Sequence, residues 1–357
     1  MTRVMITGAT GSLGSAFARH LIESGADVAC LLRPGEGPGG LEHHLHRCEV
    51  RRGDVTDLAS LETAFQGIDE IYHFAGIAIT LNKLHTLMEE VNVAGCANLV
   101  KAATTAGVRR IVHASSISAI GYPPPGEIAD ENFDISRSSC VNSYMITKRA
   151  GERELLRGWR AGGPEVVIVN LSACIAPYSD RRYGWAMLIE SARQGKLAAY
   201  PLGGAAFTSI EDMNFGMRAA MERGEPGARY IVSSVNLTYR ELFQQVAEVV
   251  GCPPPKRAVP NSVVRAAGRV GAVVAAVRKD PMRSPFLVPE NAALSVNRLF
   301  YNTCRAQREL RFRPTPLHDS IAAVDNWLTE LQVDGLIGAM GPEGRRGSAL
   351  RSVADHN

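Results

Sequence analysis

The stretch TGATGSLGSAF, Thr7 to Phe17, decides how the rest of the chain is read. It follows a β-branched run, Arg3–Thr7, and leads into an apolar-periodic segment, so it is expected to turn a strand into a helix. Gly8, Gly11 and Gly14 recur at a spacing of three. One allows the tight turn, one lets the backbone approach a pyrophosphate, and one lets helix pack on strand. The helix that follows would present unpaired N–H groups to the phosphates. Glycines also mark ordinary turns. Placed after the first strand of an alternating pattern, these read as a dinucleotide loop.

Outward from the loop, strands are predicted over Arg3–Thr7, Asp27–Leu32, Glu49–Arg51, Glu70–His73, Arg110–Ala114 and Glu165–Asn170. Helices are predicted between them over Leu13–Ser24, Leu58–Phe65, Leu81–Ala106 and Val141–Arg160. This rhythm predicts an α/β fold, a doubly wound parallel sheet with crossover helices. After Asn170 the pattern changes. Pro177, Gly203-Gly204 and Pro253-Pro254-Pro255 punctuate helices expected near Trp185–Gln194, Ile210–Arg223, Tyr239–Val250 and Leu317–Leu331. The reading is a nucleotide domain over 1–175, a smaller, mostly helical and discontinuous cap over 176–332, and a flexible tail over 333–357. A segment near 205–232 is expected to return to the first domain.

Bulk properties exclude more than they assign. The net charge is +3, from 39 basic and 36 acidic residues mixed along the chain, with no basic cluster for a nucleic acid. Seven scattered cysteines, without a Cys-x-x-Cys pair, read as reduced thiols, and Met1 runs at once into Val4-Met5-Ile6. A cytoplasmic protein without a leader is the expectation. The longest apolar passage, Val270–Val277 within Val263–Arg278, is too short to span a bilayer and reads as a helix covering an apolar pocket, or resting on a membrane surface. His43-His44-Leu45-His46 lacks matching ligands, so no metal site is expected.

Cofactor choice is read at the end of the second strand. A site selecting NAD would carry Asp or Glu there, whereas this chain has Leu31-Leu32-Arg33-Pro34. Arg33 cannot accept a hydrogen bond but matches a 2′-phosphate, so NADP(H) is favoured over NAD(H), with a solvated loop arginine as the plain alternative. Asp54, in GDVTD (Gly53 to Asp57), could accept from the adenine amino group, and Asp57 looks like a helix cap. Ala75 and Gly76, at the end of IYHFAG (Ile71 to Gly76), suit a wall against the cofactor. His73 reads as structural.

Six features in order are the Gly loop, Asp54, YHFAG (Tyr72 to Gly76), NVAGCANL (Asn92 to Leu99), SSIS (Ser115 to Ser118) and YMITK (Tyr144 to Lys148). Together they resemble the extended short-chain dehydrogenase/reductases, a Rossmann domain with a small substrate domain, over about residues 3–331. FTSIEDM (Phe207 to Met213), GARYIV (Gly227 to Val232) and NLTYREL (Asn236 to Leu242) resemble its branch of dihydroflavonol reductases, 3β-hydroxysteroid dehydrogenases and hopanoid-associated epimerases. Tyr-x-x-x-Lys alone is a weak signal in a chain with nine tyrosines. The resemblance implies Tyr144 as general acid, Lys148 as its electrostatic partner and ribose holder, and Ser116 orienting the substrate oxygen. Ser115 is the alternative one register off. Asn92 would support a proton relay, or simply hold backbone.

The same resemblance places Thr10, Ser12, Leu13, Val55, Leu171 and Ala173 against the cofactor with the residues above. Ser118, Ala173, Cys174 and Trp185 would face substrate. Leu171 stands where the family usually has proline, which implies an unusual pocket. The leading reading is an NADPH-dependent reductase of a ketone or aldehyde on a fairly apolar small molecule. One alternative is an NDP-sugar epimerase or dehydratase holding NAD tightly, with Arg181 and Arg182 on the diphosphate. A second is a non-catalytic NADP sensor, and the resemblance also implies a possible homodimer.

Overall fold

The structure is a computed structural model that describes residues 2–177, 185–277 and 288–333. Its first half runs β1 (Arg3–Thr7), α1 (Ser12–Glu23), β2 (Asp27–Leu32), β3 (Glu49–Arg52), α2 (Leu58–Ala64), β4 (Glu70–His73), α3 (His85–Met88), a π-turn (Glu89–Ala94), α4 (Gly95–Ala106), β5 (Arg110–Ser116), β6 (Ile128–Ala129), α5 (Ser143–Arg160) and β7 (Glu165–Leu171). It continues through β8 (Ala173–Cys174), α6 (Ala186–Arg193), β9 (Ala199–Pro201), β10 (Gly204–Thr208), α7 (Ile210–Arg223), β11 (Arg229–Val232), β12 (Val235–Thr238) and α8 (Tyr239–Val250). The last elements are β13 (Arg257–Val259), α9 (Asn261–Val277), α10 (Pro289–Ser295), β14 (Arg298–Tyr301), α11 (Cys304–Leu310) and α12 (His318–Val333).

Seven parallel strands form the main sheet in the order β11-β7-β5-β4-β1-β2-β3. Strand direction explains why its inner strands read as near-continuous apolar runs, unlike the largely exposed edge strand β3, EVRR. Val4 and Ile6 of β1 enter one core with Phe17 of α1, Met213 and Met217 of α7, and Leu310 of α11. Met5, between them, points to the other face and packs with Leu61, Leu99 and Leu155 of α2, α4 and α5. A sheet covered on both faces buries every position, so alternation disappears. The strand order reverses between β1 and β4, opening the crevice at their carboxyl ends where ligands of such sheets bind.

Three features refine the expectations. The mostly helical cap also carries a second sheet, β12-β10-β14-β6, with β8 joined to β10. Gly204 was read as punctuation but opens the central strand, where a Cβ would lie 2.5 Å from the Leu237 carbonyl. Strands of two to five residues carry too little pattern to be seen in sequence. Second, the stretch expected as one helix over 81–106 is interrupted by the π-turn that contains Asn92. Third, α9 buries Val264 against Ala292 and Val296 of the α10 region, while Val263, Val270, Val273 and Val274 are exposed.

The segment expected to return to the first domain divides. β10 belongs to the second sheet, whereas β11 forms the edge of the main sheet beside β7. Among the described residues no helix is long and apolar enough to cross a membrane. The tail from 334 lies outside the described residues.

Candidate active site

Gly8 adopts φ +68°, and a Cβ there would lie 2.6 Å from the Ala75 amide nitrogen. A Cβ on Gly14 would reach 2.1 Å from the Gly8 carbonyl oxygen. Neither backbone contact can be relieved by a rotamer change, so both positions require glycine. At Gly11 the added atom would meet only the Gly8 oxygen at 3.4 Å, leaving its outer side open. Gly11 caps α1 without any side-chain hydrogen bond, and no acidic residue sits in the first turn. The result is an open cradle at a helix N-terminus, which suits an anion such as a pyrophosphate. Ser12 donates to the Pro177 carbonyl at 3.5 Å, and Leu13 packs on the core.

Arg33 is not free. Its guanidinium donates to Glu36 Oε1 at 3.1 Å and its backbone N–H to Oε2 at 3.0 Å. Thr10 of the Gly loop donates to the same Oε1 at 2.9 Å. Glu36 went unweighed in the sequence, although an acid three residues from Arg33 was its visible signal. Asp54 spends Oδ1 on the Thr56 N–H and hydroxyl at 2.9 and 2.8 Å. Val55 is buried against Gly95, and its carbonyl accepts from Asn98 at 3.0 Å.

The carboxyl ends of β4 and β5 and the start of α5 bring the remaining candidates together. Asn142 caps α5, accepting from the Met145 N–H at 2.8 Å, and this fixes where Tyr144 and Lys148 stand one turn apart on one face. The Tyr144 phenol is pushed up by burial, against which a hydrogen bond with Ser116 pulls it down. Burial also lowers the Lys148 ammonium, opposed by Cys96 and Glu152. Lys148 Nζ donates to the Ala114 carbonyl at 3.1 Å and meets His113 Nε2 at 3.2 Å. A Cβ on Gly76 would fall 3.1 Å from Asn92 Oδ1 and 4.0 Å from Lys148 Nζ, so Gly76 lies between the two side chains. Asn92 holds backbone: Oδ1 accepts from the Ile77 N–H at 2.8 Å and Nδ2 donates to its carbonyl at 3.1 Å. The π-turn is what presents Asn92 to this loop.

Beneath Lys148 lie His73, Cys96 and His113, whose ligand atoms are within 4.8 Å of one another. The ring nitrogens of His73 are engaged locally, whereas His113 Nδ1 is buried without a partner. His73 Nδ1 bonds Thr7 at 2.7 Å and Nε2 meets Cys96 at 3.6 Å, while the two rings stack 4.9 Å apart. Burial drives His73 down to about 3 and His113 well below its usual value. Both imidazoles are therefore neutral, forming an uncharged floor under an ammonium.

Ser115 and Ser116 point to different sides. Ser115 donates to Glu152 Oε1 at 2.5 Å, leaving Ser116 as the serine on the Tyr144 side, where it pulls the phenol down. Ser118 accepts from Tyr122 at 3.0 Å, and its N–H caps onto Ser116 Oγ at 3.1 Å. Glu152 was missed in sequence. It is 2% exposed and also accepts from Asn170 Nδ2 at 2.6 Å, while Arg229 approaches Oε2 at 3.1 Å and Arg149 at 3.6 Å. Asn170 donates in turn to the Ser116 carbonyl at 2.9 Å. A charged residue four positions beyond Lys148, on the buried face of α5, was the available clue.

Leu171 ends β7 opposite Ser116 and is buried in the sheet core. Ala173 and Cys174 pair with Phe207 and Thr208, and burial raises the Cys174 thiol to about 12. Tyr144 feels Cys174, so this short strand borders the phenol. Trp185 sits edge-on to Phe207 and stacks on Tyr239, packed against the cap core. Arg181 and Arg182 lie outside the described residues.

A family model described as the NAD dependent epimerase/dehydratase family matches residues 4–233. The chain is similar to "Sterol demethylase protein B" of Methylococcus capsulatus, 27% identical over 91% of this chain and 98% of the relative. It is also similar to "Putative dihydroflavonol 4-reductase" of a Synechocystis species, 28% identical over 90% of this chain and 93% of the relative. Among solved structures, that of gox2253 aligns with a TM-score of 0.78 at 29% identity, covering 92% of this chain and 98% of its own.

Proposed function

Because the chain belongs to the NAD dependent epimerase/dehydratase family, we propose that it interconverts a carbonyl and an alcohol on a fairly apolar small molecule, using a nicotinamide dinucleotide. The observation that carries this reading is the placement of Ser116 at the carboxyl end of β5 beside the Tyr144 phenol, which it pulls down, with Lys148 buried one helical turn along. The Gly8–Gly14 cradle, Asp54, Ala75 and Gly76 would hold the dinucleotide, with Lys148 at its nicotinamide ribose. When bound, it supplies or accepts the hydride.

Each hydroxyl then has a separate task. Tyr144 delivers a proton to the carbonyl oxygen in reduction and takes it back in oxidation. Ser116 orients that oxygen by hydrogen bonding. A half-buried phenol raised by desolvation donates reluctantly and its anion is costly, so the charge of Lys148 stabilises the phenolate left behind. His113 and the Ala114 carbonyl hold the ammonium in place without neutralising it. The apolar character of the substrate is supported by the two full-length relatives, named for sterol and dihydroflavonol chemistry.

The test is a screen of the purified chain with reduced and oxidised nicotinamide dinucleotides against steroid, flavanonol, polyketide and β-keto-acid ketones, together with UDP-sugars. Oxidation of the reduced cofactor by at least one ketone is expected. Turnover of a UDP-sugar with every ketone inert would instead favour the epimerase reading, and dinucleotide binding with no turnover of any compound would favour a sensor.

A further inference from the structure

The corner where β2 ends against the Gly loop holds a fixed anion. Thr10 Oγ1, the Arg33 N–H and the Arg33 guanidinium converge on the Glu36 carboxylate at 2.9, 3.0 and 3.1 Å. The turn bearing it is secured twice more. Arg52 donates to the carbonyls of Arg33 and Glu36 at 2.8 and 2.9 Å, and the Glu36 N–H bonds the Arg33 carbonyl at 3.0 Å. Gly39, at φ +56°, brings the following loop so close that a Cβ would lie 2.5 Å from the Thr10 carbonyl. The Glu36 side chain is 14% exposed, against 33% for Arg33. Burial alone would raise this carboxyl, but the bonds from Arg33 and Thr10 outweigh it and hold it below its usual range.

In a sheet of this order the end of β2 meets the adenosine ribose of a bound dinucleotide. Resting on the nicotinamide reading above, we propose that Glu36, rather than Arg33, sets the dinucleotide preference of this chain, and sets it toward NAD(H). A carboxylate only accepts hydrogen bonds, so it can take ribose hydroxyls as donors. A 2′-phosphate is also an acceptor and an anion, and it would have to displace Glu36 from Arg33 and Thr10 together. Arg33 on its own is the expected partner of that phosphate; with Glu36 in place its charge is already matched. A neighbouring cation, Arg52, spends one guanidinium nitrogen on the two carbonyls of the turn.

Calorimetric titration of the full chain with NAD⁺ and NADP⁺ tests this without any substrate. Wild type is expected to bind NAD⁺ at least about tenfold more tightly, the scale of one unfavourable charge contact. Glu36→Gln, and independently Glu36→Ser, should narrow or invert that ratio by releasing Arg33. A wild-type preference for NADP⁺ overturns the proposal, as does an unchanged ratio in both variants. Should neither dinucleotide bind wild type, the nicotinamide reading itself falls, and this proposal with it.

Discussion

Glu152→Gln isolates the buried charge network behind Ser116. In the native chain Oε1 accepts from Ser115 at 2.5 Å and Asn170 at 2.6 Å, while Oε2 faces Arg229 at 3.1 Å. A glutamine has one acceptor and one donor end, and neither orientation fits. With the amide nitrogen toward Arg229, two donors oppose each other and the guanidinium loses its counter-charge. With the nitrogen turned the other way, it meets the Asn170 amide donor. Arg229 is already depressed by burial, so it has little solvent to replace the lost partner. Breaking one side of a buried ion pair costs about 3–5 kcal/mol, and that is the loss expected here. Urea denaturation measures it directly. Arg229→Met should reduce the penalty of Glu152→Gln by about 2 kcal/mol, the coupling expected of directly contacting groups. A Glu152→Gln protein within about 1 kcal/mol of wild type would refute the account of Glu152 as the counter-charge of this network.

Two further outcomes test the site from other directions. Tyr144→Phe should lower kcat by about 10²–10⁴-fold, the usual worth of a positioned acid, while calorimetry shows dinucleotide binding retained. His73 and His113 remain neutral when folded, His73 down to about 3, but gain a proton near 6.5 once unfolded. Below 6.5 the unfolded chain therefore binds more protons, and stability falls as pH drops. The expected loss from pH 7 to 5.5 is roughly 1 kcal/mol per histidine, and denaturation midpoints of His113→Phe should show about half the wild-type dependence on these two rings.

How much was legible depended on whether the signal was local. The run VVIVN in β7 announced a strand buried on both faces, and the Gly loop carried its own steric reason in Gly8 and Gly14. An ordered set of motifs places Ser116 at the end of β5 and Tyr144 and Lys148 one turn apart on α5. The choice between Ser115 and Ser116 was open in sequence because one residue of register reverses the side a strand residue faces. Glu36 was hidden for another reason: its meaning depends on Thr10, 26 positions away, meeting it in space. The Glu152 network draws on Asn170 and Arg229 from separate strands, and no period in the chain marks such a meeting. Trp185, expected to face substrate, packs its ring against Phe207 and Tyr239, two contacts that no local pattern announces.

The edge position of β11 has a consequence in time. It pairs with β7, but the chain reaches it about 60 residues after β7 ends. At ordinary rates of synthesis the open edge of β7 waits roughly 3–12 s for its neighbour. Throughout that interval the Gly loop, Ser116 and Tyr144 have all been made, while Arg229, the partner of Glu152, has not. The strand that completes the sheet thus also delivers the charge that settles its interior, and a chain cut near residue 175 would lack both.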